Sequence, residues 1–296
     1  MAETGIVIVN YNGEAYQNEC VRSLYAMDHK DFEIVVVDSG SGDNSIQKLK
    51  NEFPEVHVLL QNENVGVAKG NNIGIRYSIF ELKTKYTLLL NNDVEVDRGL
   101  LGSLIERSFG KYVTVPKIYY FEPNNVLWFA GGELDWKKGS ARHLGIHEID
   151  NSQFDEEKII DYAPTCCMLI PNRIFEKVGY IDENVFMYYD DTDLCVRFLN
   201  HGFQMIYVPK AVMWHKVSSS TGGEKSKTAT YYMYRNQLYF INKYRDYIGI
   251  LARTYVVLRS IVKFILSPFR YKNDRYILDA YLDYVQGRMG RKDFAG

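Results

Sequence analysis

The chain has little cysteine: four in 296 residues, at Cys20, Cys166, Cys167 and Cys195. None forms a CxxC pair and their spacing suggests no disulfide framework, so they read as small buried hydrophobes in a reducing compartment. No uncharged apolar run reaches the roughly 18–20 residues that a membrane-spanning helix requires. The N-terminus enters an apolar run by Ile6 without the basic and apolar regions of a signal peptide. A cytoplasmic protein is the expectation. There is no excess of one charge either, with 35 Lys and Arg against 37 Asp and Glu and a formal net charge of -2. That balance argues against wholesale nucleic-acid binding. GxGxxG is missing, which argues against an ordinary dinucleotide-binding turn. Internal repeats and low-complexity segments are missing too.

What is present is ample apolar material, 46% of residues, and 24 tyrosines that crowd the second half. GIVIVNYNG (Gly5–Gly13) is an apolar run stopped by Asn and Gly, and helical spacing follows over Glu14–Ala26. FEIVVVDSGSGDNS (Phe32–Ser45) repeats the pattern, with a helix opening near Asp43. VHVLLQN (Val56–Asn62) leads into a helix over Val67–Leu82, and YTLLL (Tyr86–Leu90) is a fourth strand. Strands that are apolar on both faces and alternate with helices predict a parallel sheet covered on both sides. Ligands of such sheets bind beyond the carboxyl ends of the strands, where Asn10, Asp38, Asn62 and Asn91 fall. From about Lys111 the alternation breaks into short strands, KYVTVPKIYY and VLWFAGGELDW, that suggest antiparallel hairpins. TCCMLI (Thr165–Ile170) reads as another buried strand, and helix is expected from Asp191 to Asn200 and again beyond Thr228.

Three polar clusters could carry chemistry. TLLLNNDVEVD (Thr87–Asp97) ends a buried strand in Asn91, Asn92, Asp93 and Glu95. Alternating carboxylates can hold a hard divalent cation, although a lone acid-x-acid pair is more often a solvated loop. MYYDDTDLCVRF (Met187–Phe198) sets three aspartates at a helix start. Capping explains one or two of them. Three behind an apolar run repel and raise one another's pKa, which suits a general base. AVMWHKVSSSTGG (Ala211–Gly223) places His215 just past an apolar strand and before a Ser/Gly stretch able to close over a substrate. Asp38 could contact a ribose or base, or simply cap its own turn.

Taken in order, NYNG, VVVDSGSGDNS, NENVGVAKGNNIGI, LLLNNDVEV, FAGG, TCCMLI, NVFMYYDDTDLCVRF and WHKVSSS resemble the family 2 inverting glycosyltransferases, nearest the rhamnosyltransferase-like branch. The resemblance covers roughly Gly5–Asp246. It implies the GT-A fold: a Rossmann-like, mostly parallel sheet with helices on both faces, a smaller antiparallel acceptor-side sheet and C-terminal helices. By carry-over, Asn10 and Tyr11 lie near the base and ribose, Asp38 on the base or ribose, and Asn71 in the base-contacting loop. Asn92 and Asp93 face the ribose and metal-diphosphate, with Asp93 as ligand to Mg2+ or Mn2+. The family often has two acids where this chain has Asn92-Asp93, which gives His215 more weight as a second ligand and leaves Glu95 a lesser candidate. Asp191 is the implied general base, with Asp190 and Asp193 binding acceptor or holding the loop. The implied donor is dTDP-rhamnose, with UDP-hexoses next, and the acceptor a cell-surface glycan, free or lipid-linked. A catalytically silent nucleotide-sugar-binding domain is the reading from another class. A nucleotidyltransferase would want a basic glycine-rich first loop, which NYNGEAY lacks.

The expected division is a catalytic domain over residues 1–228, with a nucleotide-binding half at 1–110 and an acceptor-binding half at 111–228, followed by a helical extension at 229–296. In GILARTYVVLRSIVKFILSPF, Arg253, Arg259, Ser260 and Lys263 share an arc of about 120° and apolar residues fill the remainder. That pattern fits a helix lying on the inner face of the plasma membrane, and equally a helix packed on the catalytic domain or in a homodimer.

Overall fold

A computed structural model describes residues 2–217, 226–266 and 275–294. The Ser/Gly stretch singled out after His215 lies outside the described residues. The first half alternates as expected: β1 (Thr4–Asn10), α1 (Gln17–Tyr25), β2 (Phe32–Asp38), α2 (Ser45–Glu52), β3 (His57–Leu60), α3 (Gly66–Phe80) and β4 (Tyr86–Asn91). The four strands are parallel in the order β3-β2-β1-β4, and Asn10 stands level with Asp38. Ile6, Val7, Ile8, Val35, Val36, Leu88 and Leu89 are all fully buried, because helices cover both faces. Polar termini are thus pushed to one edge.

The second half runs β5 (Val94–Val96), α4 (Leu100–Ser108), β6 (Val113–Tyr120), β7 (Leu127–Phe129), β8 (Gly132–Asp135), β9 (Ser140–His143), β10 (Lys158–Ile160), β11 (Cys167–Pro171), α5 (Arg173–Val178), α6 (Asp190–Asn200) and β12 (Met205–His215). β11 lies antiparallel between β4 and β6, and the sheet continues through β12 to β10. Most of the short strands therefore extend the one large sheet, and β8 with β9 forms a separate two-stranded antiparallel sheet. β6 pairs in parallel with β12, a partner that local patterning could not reveal. β5 pairs antiparallel with the end of β12, setting Val94 against His215. Among the described residues three helices follow: α7 (Lys227–Lys243), α8 (Ile250–Leu266) and α9 (Arg275–Val285). The hydroxyl of Ser226 caps α7 by accepting from Ala229 N at 3.1 Å.

Candidate active site

The carboxyl edge of the parallel strands is tied together by amides. Asn10 is fully buried at the end of β1, and its Nδ2 donates to Asp38 Oδ1 at 3.0 Å and to Ser45 Oγ at 2.9 Å. Its Oδ1 accepts from Asn92 Nδ2 at 2.8 Å. Gly13 is required here, since a Cβ at that position would lie 2.1 Å from Asn10 Oδ1 and 2.4 Å from Asn92 Nδ2. Asp38 also accepts from the Ser41 hydroxyl at 2.6 Å and from Ser41 N at 3.1 Å, so it caps its own turn. The loops after β1 and β2 lock onto each other, with Gly42 N donating to Asn12 Oδ1 and Glu14 N to Asp43 Oδ2. Asn10 is thus a bridge beneath the loops rather than a surface group, whereas neighbouring Tyr11 is 42% exposed. Asn71 is buried on α3. Its neighbour Asn72, overlooked in the sequence, bonds the backbone of Ile181 through both side-chain atoms and so anchors the segment that leads to the acids.

The pairing of β5 with β12 brings Asp93 to His215. Asp93 Oδ1 lies 3.2 Å from His215 Nε2, both residues are buried, and 122 positions separate them in sequence. A hard oxygen and an imidazole nitrogen at that separation suit two adjacent ligands of one divalent cation. Among the described residues His215 Nδ1 is buried with no hydrogen-bond partner, so none of them fixes the ring's tautomer. Among the described residues no group of three or more His, Cys, Asp or Glu gathers as a metal site. The pair by itself would leave most of a divalent cation's coordination positions to other groups. Glu95 instead takes an ion pair from Lys216 Nζ at 2.7 Å, which accounts for the second acid of NDVEV.

Across the cleft, α6 opens on the acids from a strained turn. Tyr188 and Tyr189 both have left-handed backbone, with φ of 61° and 67°, a conformation that bulky side chains adopt at a cost. Asn236 of α7 holds that turn, its Nδ2 donating to the carbonyls of Met187 at 2.8 Å and Tyr188 at 3.0 Å. The Tyr189 hydroxyl donates to Gly139 O at 3.0 Å. The three aspartates then separate by environment. Asp193 is buried in ionic contacts, accepting from Arg197 Nε at 2.8 Å and Tyr244 OH at 2.8 Å and pairing with Lys243 at 2.6 Å. Asp190 is buried, accepts from the Thr165 hydroxyl at 3.0 Å, and has its pKa pushed up to about 7 by burial and by the adjacent Asp191. Asp191 is half-buried. Burial raises its pKa, while the Tyr162 hydroxyl donating at 2.7 Å and the N–H of Thr192 pull the other way.

An aromatic wall joins the two acidic sites. The ring of Trp128 stands edge-on to His215 at 4.8 Å and to His143 at 4.4 Å, and His143 stacks on Tyr162 at 5.7 Å. Burial draws the His143 pKa down to about 4, so its ring is neutral and its Nδ1–H donates to Trp128 O at 3.0 Å. The thiol of Cys166 is raised well above its usual range, first by burial, and it feels both Asp93 and Asp191. Through Trp128, His143 and Tyr162 an unbroken run of side-chain contacts links the Asp93–His215 pair to Asp191. Sequence reading missed Trp128, His143 and Tyr162, and the tryptophan beside FAGG was the available signal.

Comparison with known proteins fits this geometry. Over 198 residues the chain is 31% identical to a low-salt glycan biosynthesis hexosyltransferase of Haloferax volcanii, covering 66% of this chain and 61% of that protein. Over 304 residues it is 25% identical to a dTDP-rhamnosyl transferase of Shigella flexneri, with 96% of each chain covered. Among solved structures, GalNAc-T7 with UDP, GalNAc and Mn2+ superposes with a TM-score of 0.66 at 15% identity, covering 97% of this chain and 57% of that one, a likeness of fold. The fold is that of the GT-A glycosyltransferases. The sequence profile of glycosyl transferase family 2 matches residues 5–179, which includes Asp93 and stops short of Asp190 and His215. The chain belongs to glycosyl transferase family 2.

Proposed function

We propose that the protein moves a sugar, dTDP-rhamnose being the favoured donor, from a nucleotide sugar to a growing cell-surface glycan with inversion at the anomeric carbon. The observation that carries this reading is the half-buried Asp191 carboxylate, of raised pKa and oriented by Tyr162, linked through His143 and Trp128 to the Asp93–His215 pair. Asp191 takes the proton of an acceptor hydroxyl while that oxygen attacks the anomeric carbon from the face opposite the leaving group. The new C–O bond forms as the glycosyl–phosphate bond breaks, and the bonding electrons leave with the nucleoside diphosphate. One displacement inverts the centre. Asp93 and His215 would hold Mg2+ or Mn2+, which when bound supplies positive charge beside the diphosphate; the Mn2+ named with the GalNAc-T7 fold neighbour is in keeping with this. In this reading Tyr11, exposed just past β1, lies against the base, with Asp38, Asn71 and Asn92 around the nucleoside; the buried hydrogen bonds of Asn10 to Asp38 and Asn92 support a positioning role for it.

The name of the Shigella relative, matched over 96% of both chains, favours dTDP-rhamnose. A hexose donor is the second reading, favoured by the name of the Haloferax relative. The test incubates the purified chain with dTDP-rhamnose or UDP-hexoses, Mg2+ or Mn2+, with and without chelator, following donor turnover and thermal stabilisation. Turnover of the rhamnose donor that stops on chelation supports the proposal. Stabilisation by donor without turnover, even with acceptor glycans, means a silent binding domain and overturns it.

A further inference from the structure

We propose that α8 lies on an anionic lipid surface, through an apolar face that it turns away from the rest of the protein. An amphipathic helix resting on a globular domain ordinarily points its apolar stripe inward. α8 does the reverse. Its most buried described side chain is Val256, 2% exposed, which packs with Leu238, Ile241 and Ile248. At ~100° per residue Val256 falls between Arg253 and Arg259, in the middle of the cationic arc. The opposite arc faces solvent: Leu251 is 84% exposed, and Tyr255, Leu258 and Val262 are each more than half exposed. Their spacing of four, three and four residues makes one continuous stripe, flanked by the exposed Ile250 and Ile261. Among the described residues no helix is long and apolar enough to cross a membrane, so this face is suited to lying in the interface.

Charge selects the occupant. Residues 247–273 contain Arg253, Arg259, Lys263, Arg270 and Lys272 and no Asp or Glu. A second copy of the chain packed stripe to stripe would bring its own Arg259 and Lys263, which border the stripe on one side at ~100° per residue, beside those of the first, with no acid in residues 247–273 of either copy to offset them. An anionic headgroup layer offsets it directly, and each basic residue near such a surface adds to the binding. The surface reading is independent of the donor sugar and of catalysis.

The test is flotation of the full chain with phosphatidylcholine vesicles, with and without phosphatidylglycerol, at low and high salt. Binding is expected only to the anionic vesicles and weakens with salt. Leu251→Glu/Leu258→Glu should reduce binding at least about tenfold, and Arg259→Gln by about fivefold. Leu251→Gln/Leu258→Gln adds no charge and should also lose binding, with circular dichroism and melting temperature unchanged because both leucines are exposed. Absence of flotation at low salt, or flotation of both double variants equal to that of the parent, overturns the proposal. So does a dimer by analytical ultracentrifugation that the same substitutions abolish while vesicles leave it untouched.

Discussion

The two sides of the cleft handle polar groups in opposite ways. On the nucleotide side, Asn10, Asp38, Ser41, Ser45 and Asn92 satisfy one another through short hydrogen bonds. On the acceptor side, Asp190 and Asp191 sit adjacent in a buried setting that lifts both pKa values. A satisfied hydrogen-bond network is rigid, which suits holding a ligand. Crowded, desolvated carboxylates are poor at holding a structure and good at taking protons near neutrality. The contrast is between positioning and proton transfer.

Asp191→Asn separates those roles most sharply. It should lower turnover about 10²–10⁴-fold while leaving donor-induced thermal stabilisation intact; turnover within tenfold of the parent removes Asp191 as base. Asp93→Asn acts on the other side, weakening divalent-metal affinity by at least about 10²-fold and removing the metal's contribution to donor stabilisation. Equal chelator sensitivity in variant and parent would count against Asp93 as ligand. Asn236→Ala reaches the base indirectly. It leaves the Met187 and Tyr188 carbonyls underbonded, at about 1–3 kcal/mol in urea unfolding, and frees the left-handed turn, so kcat should fall with little change in donor KM. Unchanged kcat with lost stability would mean that the clamp serves folding alone.

The smallest effects carry sign. The Tyr162 hydroxyl favours ionised Asp191, so Tyr162→Phe raises the Asp191 pKa further and moves the acid limb of the rate profile to higher pH. At neutral pH the cost should be roughly three- to tenfold in rate. Asp190→Asn removes a neighbouring negative charge and should move the same limb to lower pH. Limbs that shift in one direction for both variants would break the assignment of Asp191 as the titrating base.

Much of this was legible before any coordinates. Apolar runs ended by Asn, Asp and Gly gave the strand–helix alternation because a strand covered on both faces admits little else. NNDVEV and DDTD stood out because clustered carboxylates behind apolar strands need a reason. What could not be read was pairing at long range. Glu95 ranked below Asp93 by resemblance alone, and the physical reason came only with β12, which delivers Lys216 to one and His215 to the other. Asp193 looked like part of a catalytic cluster, yet Arg197, Lys243 and Tyr244 enclose it. Asn236 carried no local signal at all, being one amide in a polar helix far down the chain.

The 122-residue span between Asp93 and His215 also bears on how the molecule comes into being. β1 to β4 have all been synthesised by residue 91, but β12, which brings His215 to Asp93, ends only at residue 215. At roughly 5–20 residues per second, a nascent chain spends several seconds with Asp93 in place and His215 not yet made. If the two hold the metal as proposed, metal-dependent binding of the donor is a property of the finished sheet alone.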